Sequence, residues 1–168
     1  MALAATEIFD RLASAVIDLL RTDEVRYANA GERQVVSELF VRMRPLFPEW
    51  TVSNEYDRRE QEQKRLRHRI PETGVDRDAP ITPDIIVHRI GKRENLLVIE
   101  AKRHINKDRE GDVWKLSGMT TLAGQYGYAL GVHLILNVPA GTVDACDVYV
   151  DGAFEPALTA QLAGKLPR

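Results

Sequence analysis

Pro83-Asp-Ile-Ile-Val-His-Arg-Ile90, Gly91-Lys-Arg-Glu-Asn95 and Leu96-Leu-Val-Ile-Glu-Ala-Lys102 are the residues on which the fold turns. The unbroken apolar runs Ile85-Ile86-Val87 and Leu96-Leu97-Val98-Ile99 read as strands buried on both faces. The polar segment around Gly91 reads as the turn that joins them, so a hairpin is expected with strands at about 83–90 and 96–102. Side chains alternate along a strand, which places Leu96, Val98, Glu100 and Lys102 on one face. With the turn centred near Arg93, Asp84 stands opposite Lys102 and Ile86 opposite Glu100, and directly opposed residues project to the same side. Asp84, Glu100 and Lys102 then meet at one end of the hairpin, in a register that a bulge would alter.

Charges at the ends of buried strands need a compensating partner, because burying an unpaired charge costs several kcal/mol. Two converging carboxylates suit Mg²⁺, a hard cation that takes oxygen ligands and keeps several waters; Mn²⁺ can stand in for it. The backbone carbonyl of Ala101, between the two key side chains, offers a further oxygen. Such a cation polarises a phosphodiester and activates a water, and Lys102 is suited to hold that water or to counter charge growing on the phosphate. The expectation is a metal-dependent nuclease with Asp84 and Glu100 as ligands. The plainer reading is that Asp84 is a turn residue and Glu100-x-Lys102 a solvated pair.

Outward from the hairpin, residues from about Ala4 to Arg21 read as an amphipathic helix carrying Ile8, Leu12, Val16 and Leu19. A second helix is expected from near Gly31 to before Pro45, with Val35 or Val36, Leu39 and Met43 as its apolar stripe. Glu32 falls on that stripe and faces the sheet, which makes it a fourth acidic candidate, whereas Glu38 pairs with Arg42 on the surface. Trp50–Tyr56 reads as a strand ending at Glu55, a weaker acidic candidate. The charged residues 57–80 read as a long loop. A helix from about Asp108 or Asp112 to Tyr126 follows, carrying Val113, Leu116, Thr120 and Ala123, with Gly118, Ala123 and Gly124 allowing close packing on the sheet. Val132–Val138 and Val143–Val150 read as the last strands. The expected order is α-α-β-β-β-α-β-β, an α/β sandwich around a mixed sheet.

The length of 168 residues suits one domain, with the first helix and the charged loop as additions to it. A formal net charge of −2 confines any nucleic-acid surface to a local patch. Arg58, Arg59, Lys64, Arg65, Arg67 and Arg69 form one, facing only Asp57, Glu60 and Glu62 in the same stretch. It reads either as a phosphate grip or as a solvated loop. Cys146 is the single cysteine, which excludes an intramolecular disulfide or zinc ribbon and suggests a reducing cytoplasm. No apolar run approaches a membrane span, so no membrane partner is expected. ATP use is not expected either, since there is no phosphate-binding glycine loop ending in Lys-Ser or Lys-Thr.

The motifs Gly31-Glu-Arg-Gln34, Phe47-Pro-Glu-Trp50, Asn54-Glu-Tyr-Asp-Arg58, Pro83-Asp-Ile-Ile-Val-His88, Leu96-Leu-Val-Ile-Glu-Ala-Lys102, Asp112-Val-Trp-Lys-Leu116 and Tyr126-Gly-Tyr-Ala-Leu-Gly131 occur in that order. Together they resemble the PD-(D/E)xK nuclease superfamily, of restriction-endonuclease-like fold, and in particular its small bacterial members. The resemblance spans about Glu32 to Gly131. It implies Asp84, Glu100 and Lys102 as the catalytic triad, Glu32 as the additional acid, and in-line attack by a metal-activated water that leaves a 5′-phosphate and a 3′-hydroxyl. DNA is the implied substrate, with RNA left open, and a homodimer is one arrangement that relatives adopt to make two cuts. Asp112 and Lys115 could reach the site from the following helix, or cap and pair on its surface. Gln125 resembles a position near the site in some relatives. The competing reading is a non-cleaving nucleic-acid-binding or protein-interaction module on the same fold, within a larger defence or repair complex.

Overall fold

Apolar spacing sets the order of elements in the computed structural model, which describes residues 3–54, 58–59 and 62–168, without the side chains of residues 58, 59 and 62. Helices α1 (Ala5–Arg21), α2 (Asp23–Tyr27) and α3 (Glu32–Met43) come first, and a 3-10 turn at Arg44–Leu46 closes α3 where Pro45 cannot continue it. Strands β1 (Thr51–Asn54), β2 (Arg58–Arg59), β3 (Glu62–Gln63), β4 (Arg65–Arg69), β5 (Asp76–Pro80), β6 (Ile85–Arg89) and β7 (Glu94–Arg103) follow. The chain ends with α4 (Glu110–Thr120), β8 (Leu130–Asn137), β9 (Thr142–Val150), β10 (Ala153–Phe154) and α5 (Pro156–Ala163).

The main sheet has six strands in the order β1-β6-β7-β8-β9-β10. Its neighbours are antiparallel except β7 and β8, which run parallel and are joined through α4. This is a mixed α/β architecture, as the order of apolar segments implied. Leu96 to Ala101 are all buried, because each face of β7 has its own cover. Leu97, Ile99 and Ala101 pack with Val132, Leu134 and Leu136 in a core shared with α1, α3 and Leu162 of α5. Val98 and Ile86 pack on the opposite face with Leu66, Trp114, Leu116 and Met119. Each fully buried Leu, Ile or Val contributes roughly 1.5–3 kcal/mol, so two-sided burial holds β7 at the centre of the sheet.

Two glycines set how closely α4 sits. A Cβ at Gly131 on β8 would lie 2.8 Å from Thr120 Cγ2, and one at Gly118 would lie 2.7 Å from Leu66 Cδ2 on β4. Gly131 therefore lets the helix approach the sheet, while Gly118 seats the β4–β5 ribbon on the helix rather than the helix on the sheet. The helix stops at Thr120, not Tyr126, since Asp151 Oδ1 accepts from Leu122 N and Met119 O accepts from Tyr128 N, which draws the chain back to the sheet. Ala123 and Gly124 consequently lie beyond it.

Residues expected as a loop at 57–80 include the β4–β5 hairpin, paired from Arg65↔Pro80 to Arg69↔Asp76. Leu66 is buried against α4, Trp114 Nε1 donates to His68 O at 3.0 Å, and Tyr126 Oη donates to Arg65 O at 2.6 Å. These contacts fix the ribbon along the helix. The short helices α2 and α5 complete the fold; α5 opens with Pro156 in its first turn and Glu155 capping Ala157 N. Among the described residues no helix is long and apolar enough to cross a membrane.

Candidate functional site

Pairing of β6 with β7 ends at Ile85↔Ile99. One residue further, Asp84 Oδ2 accepts the backbone N–H of Ala101 at 2.9 Å, continuing the ladder with a side chain in place of a strand carbonyl. Extending the register by one step puts Asp84 opposite Glu100 rather than Lys102, and Ile86 stands opposite Val98 rather than Glu100. The difference arises in the hairpin itself. Its connection is the four residues 90–93, and a bulge between Val87 and His88 leaves Leu96 without a partner. The bulge also turns Leu96 into the core of Leu97, away from Val98. The offset is an even number of residues, so Asp84 and Glu100 still project to one face.

Glu100 is 1 % exposed, and its Oε2 accepts from Lys115 Nζ at 2.6 Å. Its Oε1 is buried and has no hydrogen-bond partner. Burial first, and the nearby Asp84 charge second, push the Glu100 carboxyl well above the usual carboxylate range, against the pull of Lys115. Burial likewise raises Asp84, opposed by the Ala101 N–H and Lys115. Asp112 goes the other way. Burial alone would raise it, but the His133 ring and the Lys115 and Lys102 ammoniums outweigh that and lower it to about 2.

Asp112 is the hub of the cluster. Its Oδ2 lies 3.2 Å from Lys102 Nζ, and its Oδ1 lies 3.3 Å from Lys115 Nζ. His133 Nε2 is 3.3 Å from Oδ2 but not aligned for a hydrogen bond, so that contact is electrostatic. His133 stands beside Glu100 in the parallel register and is 2 % exposed. Lys102 Nζ also lies 3.7 Å from Glu32 Oε1. Burial would lower both ammoniums. Asp112 and Glu32 raise Lys102 instead, and Glu100 and Asp112 raise Lys115. Glu32, at the start of α3, accepts from Arg103 N at 3.1 Å and from Asn106 Nδ2 at 3.2 Å, clamping the chain just after Lys102.

Glu32, Asp84, Glu100 and Asp112 thus gather four carboxyl groups around the two ammoniums of Lys102 and Lys115. Among the described residues, no three His, Cys, Asp or Glu side chains converge as a ready-made metal cage.

The remaining candidates fall elsewhere. Glu55 lies outside the described residues, as do the side chains of Arg58 and Arg59. Lys64 is buried, with its ammonium 5.4 Å from the Tyr126 ring centre, so it is not an open phosphate ligand. Arg65, Arg67 and Arg69 are exposed on the outer face of β4 and reach across to Asp78 at 3.1 and 3.5 Å and to Asp76 at 3.8 Å. Gln125 accepts from Arg67 N at 2.7 Å, and its own carbonyl accepts from Arg93 in the hairpin turn. That is the far end of β7 from Glu100, some seven residues or roughly 23 Å away along a strand, so Gln125 serves the ribbon and not the acidic cluster. Asp112 and Lys115, by contrast, are at its centre. His133 was not singled out by sequence, although a histidine inside the buried run Val132–Val138 carries the same signal as the charges on β7.

The chain matches no family model and no curated protein sequence.

Proposed function

We propose that the chain is a metal-dependent nuclease of restriction-endonuclease-like fold that hydrolyses phosphodiester bonds in DNA, with RNA as the alternative polymer. The observation that carries this reading is the pairing of Asp84 with Glu100 at a strand end, where the buried Glu100 Oε1 has no partner and the two carboxyl groups stand close enough for Asp84 to push Glu100 up. The fold order supports it: α3, the antiparallel run β1-β6-β7, then α4 and the parallel β8.

The donor set fits Mg²⁺, which needs only one or two carboxylates and keeps its waters, so a complete protein cage is not required. Asp84 and Glu100 would hold it. In an extended strand the N–H and C=O of one residue point to the same side, so the Ala101 carbonyl, on the side where its N–H meets Asp84, would supply a third oxygen. Bound there, Mg²⁺ supplies Lewis acidity toward a phosphate oxygen and lowers the pKa of a coordinated water.

The chain's own groups do the rest. Lys102, raised by Asp112 and Glu32, stays an ammonium at neutral pH. It therefore stabilises the negative charge on the phosphate oxygens or orients the water rather than removing a proton. Glu32 fixes the backbone that follows Lys102, which makes it a positioning residue.

Arg65, Arg67 and Arg69 alternate along β4 at intervals of roughly 6.8 Å and run from the Tyr126 end toward Trp114, the end of α4 nearest the acidic cluster. Such a row suits successive phosphates of a strand. Its exposed ion pairs with Asp76 and Asp78 are worth about 0–1 kcal/mol each and are readily exchanged for phosphate contacts. The cytosolic setting suggested by the lone Cys146 belongs to the same proposal.

Incubation with plasmid, single-stranded, branched and RNA substrates in Mg²⁺ or Mn²⁺ tests it. Cleavage is expected with a divalent cation and none in EDTA. A folded protein that binds no cation and cuts no substrate would leave the non-cleaving module, which one observation favours: Lys115 already neutralises Glu100.

A further inference from the structure

Helix α4 brings a second ammonium to the acidic end of the sheet. Asp112 and Lys115 are three residues apart and so share a helix face, and the packing of Leu116 and Met119 under the sheet turns that face to β7 and β8. Lys115 Nζ lies 2.6 Å from Glu100 Oε2 and 3.3 Å from Asp112 Oδ1. Lys115 is 19 % exposed and Glu100 1 %, so this pair is held largely away from water. A divalent cation on Glu100 would stand within a few ångströms of that ammonium, and two cations cannot share so small a buried space at low cost. Asp112 offers the ammonium a second acceptor without any change in the helix.

We propose that Lys115 is a placeholder cation. Its ammonium holds Glu100 through Oε2 until a divalent cation on the unpartnered Oε1 drives it off by charge repulsion onto Asp112. Cation binding and the Lys115–Glu100 pair are therefore mutually exclusive. The proposal rests on the reading of Asp84 and Glu100 as metal ligands. It accounts for a cluster of four carboxylates in which no three converge: the lysine sits among them.

Calorimetric titration of Ca²⁺ into the wild-type protein, Lys115→Met and the exposed control Lys107→Ala tests it. Lys115→Met is expected to bind Ca²⁺ at least tenfold more tightly than the wild type, and to melt at a lower temperature in EDTA because Glu100 has lost its counter-ion. Lys107→Ala is expected to match the wild type. Equal affinity in the wild type and a folded Lys115→Met overturns the placeholder while leaving the metal site standing. No Ca²⁺ binding in any of the three overturns the metal-ligand reading, and the placeholder with it. Should Lys115→Met not fold in EDTA, acetylation of the wild-type amines read by mass spectrometry decides the matter. Lys115 is expected to react at least fivefold faster with saturating Ca²⁺ than in EDTA while Lys107 does not change. Equal rates with Ca²⁺ bound overturn the proposal.

Discussion

The backbone N–H of Ala101 donates to Asp84 Oδ2 at 2.9 Å, one residue beyond the last β6–β7 pair. That bond ties the acidic site to the register of the sheet. The same two-sided burial that makes β7 central also fixes where its Glu100 and Lys102 must stand, and Asp84 is locked beside Glu100 by a side-chain bond that continues the ladder. The site is thus a consequence of strand pairing rather than of loop placement.

Asp84→Asn keeps an acceptor oxygen for Ala101 N and removes the charge. Burial disfavours the Asp84 carboxylate, so the variant is expected to melt at or above the wild-type temperature in EDTA while losing cleavage by at least a hundredfold. Thermal melts together with a plasmid-nicking assay check this. A variant that nicks like the wild type would remove Asp84 from the site.

The acidic groups give stability two opposed pH dependences. Glu100 and Asp84 are raised in the folded chain, so the folded state binds more protons there and stability falls as pH rises above the unfolded carboxylate pKa of roughly 4. Asp112, lowered to about 2, contributes stability above that same unfolded value and loses it as pH falls toward about 2. Melting temperature in EDTA is therefore expected to drop on both sides of a mildly acidic optimum. Glu100→Gln should flatten the alkaline limb and leave the acid one. An alkaline limb unchanged in that variant would place the pH dependence elsewhere.

Asp112→Ala removes the acceptor shared by Lys102 and Lys115. Breaking a buried ion cluster from one side costs roughly 3–5 kcal/mol, and denaturant unfolding at neutral pH should register that loss. Since Asp112 acts through Lys102, kcat is expected to fall while KM stays near the wild-type value. A fall in stability with kcat intact would make Asp112 purely structural.

Arg65→Ala, Arg67→Ala and Arg69→Ala combined should weaken binding to duplex DNA across sequences. If each side chain neutralises one phosphate, the slope of log affinity against log salt should shrink by about 2.7. An unchanged slope would mean that the row is only a set of cross-strand pairs with Asp76 and Asp78.

The strongest part of the fold to read from sequence was its apolar content. Ile85–Val87, Leu96–Ile99 and Val132–Val138 could hardly be anything but buried strands, and Ile8, Leu12, Val16 and Leu19 lie in the core as their spacing implied. Register was harder, because neither the turn centre, which lies between Gly91 and Lys92 rather than near Arg93, nor the bulge at Leu96 leaves a mark in composition, and together they set Asp84 opposite Glu100 rather than Lys102. The β4–β5 hairpin was hidden by its charges. Arg65-Leu-Arg-His-Arg69 alternates as a strand should, but a single buried Leu66 is a faint apolar signal, and Gly74 with φ +67° marks the turn. Within the site, Asp84, Glu100, Lys102 and Glu32 were legible as charges where apolar residues belong. Asp112 and Lys115 were ambiguous, because their helix is buried on two sides and lacks a polar face to contrast with. Whether they point inward depends on how close α4 comes, which Gly131 decides from another element.

The most direct test is the melting temperature of the wild type, Asp84→Asn and Glu100→Gln with increasing Mn²⁺ at neutral pH. Occupancy at a hundredfold excess over Kd stabilises by about 2.7 kcal/mol, so the wild type is expected to gain roughly 5–10 °C and the two variants little or nothing. A wild type whose melting temperature does not move with Mn²⁺, or variants that shift as much as it does, would mean that Asp84 and Glu100 do not hold a cation.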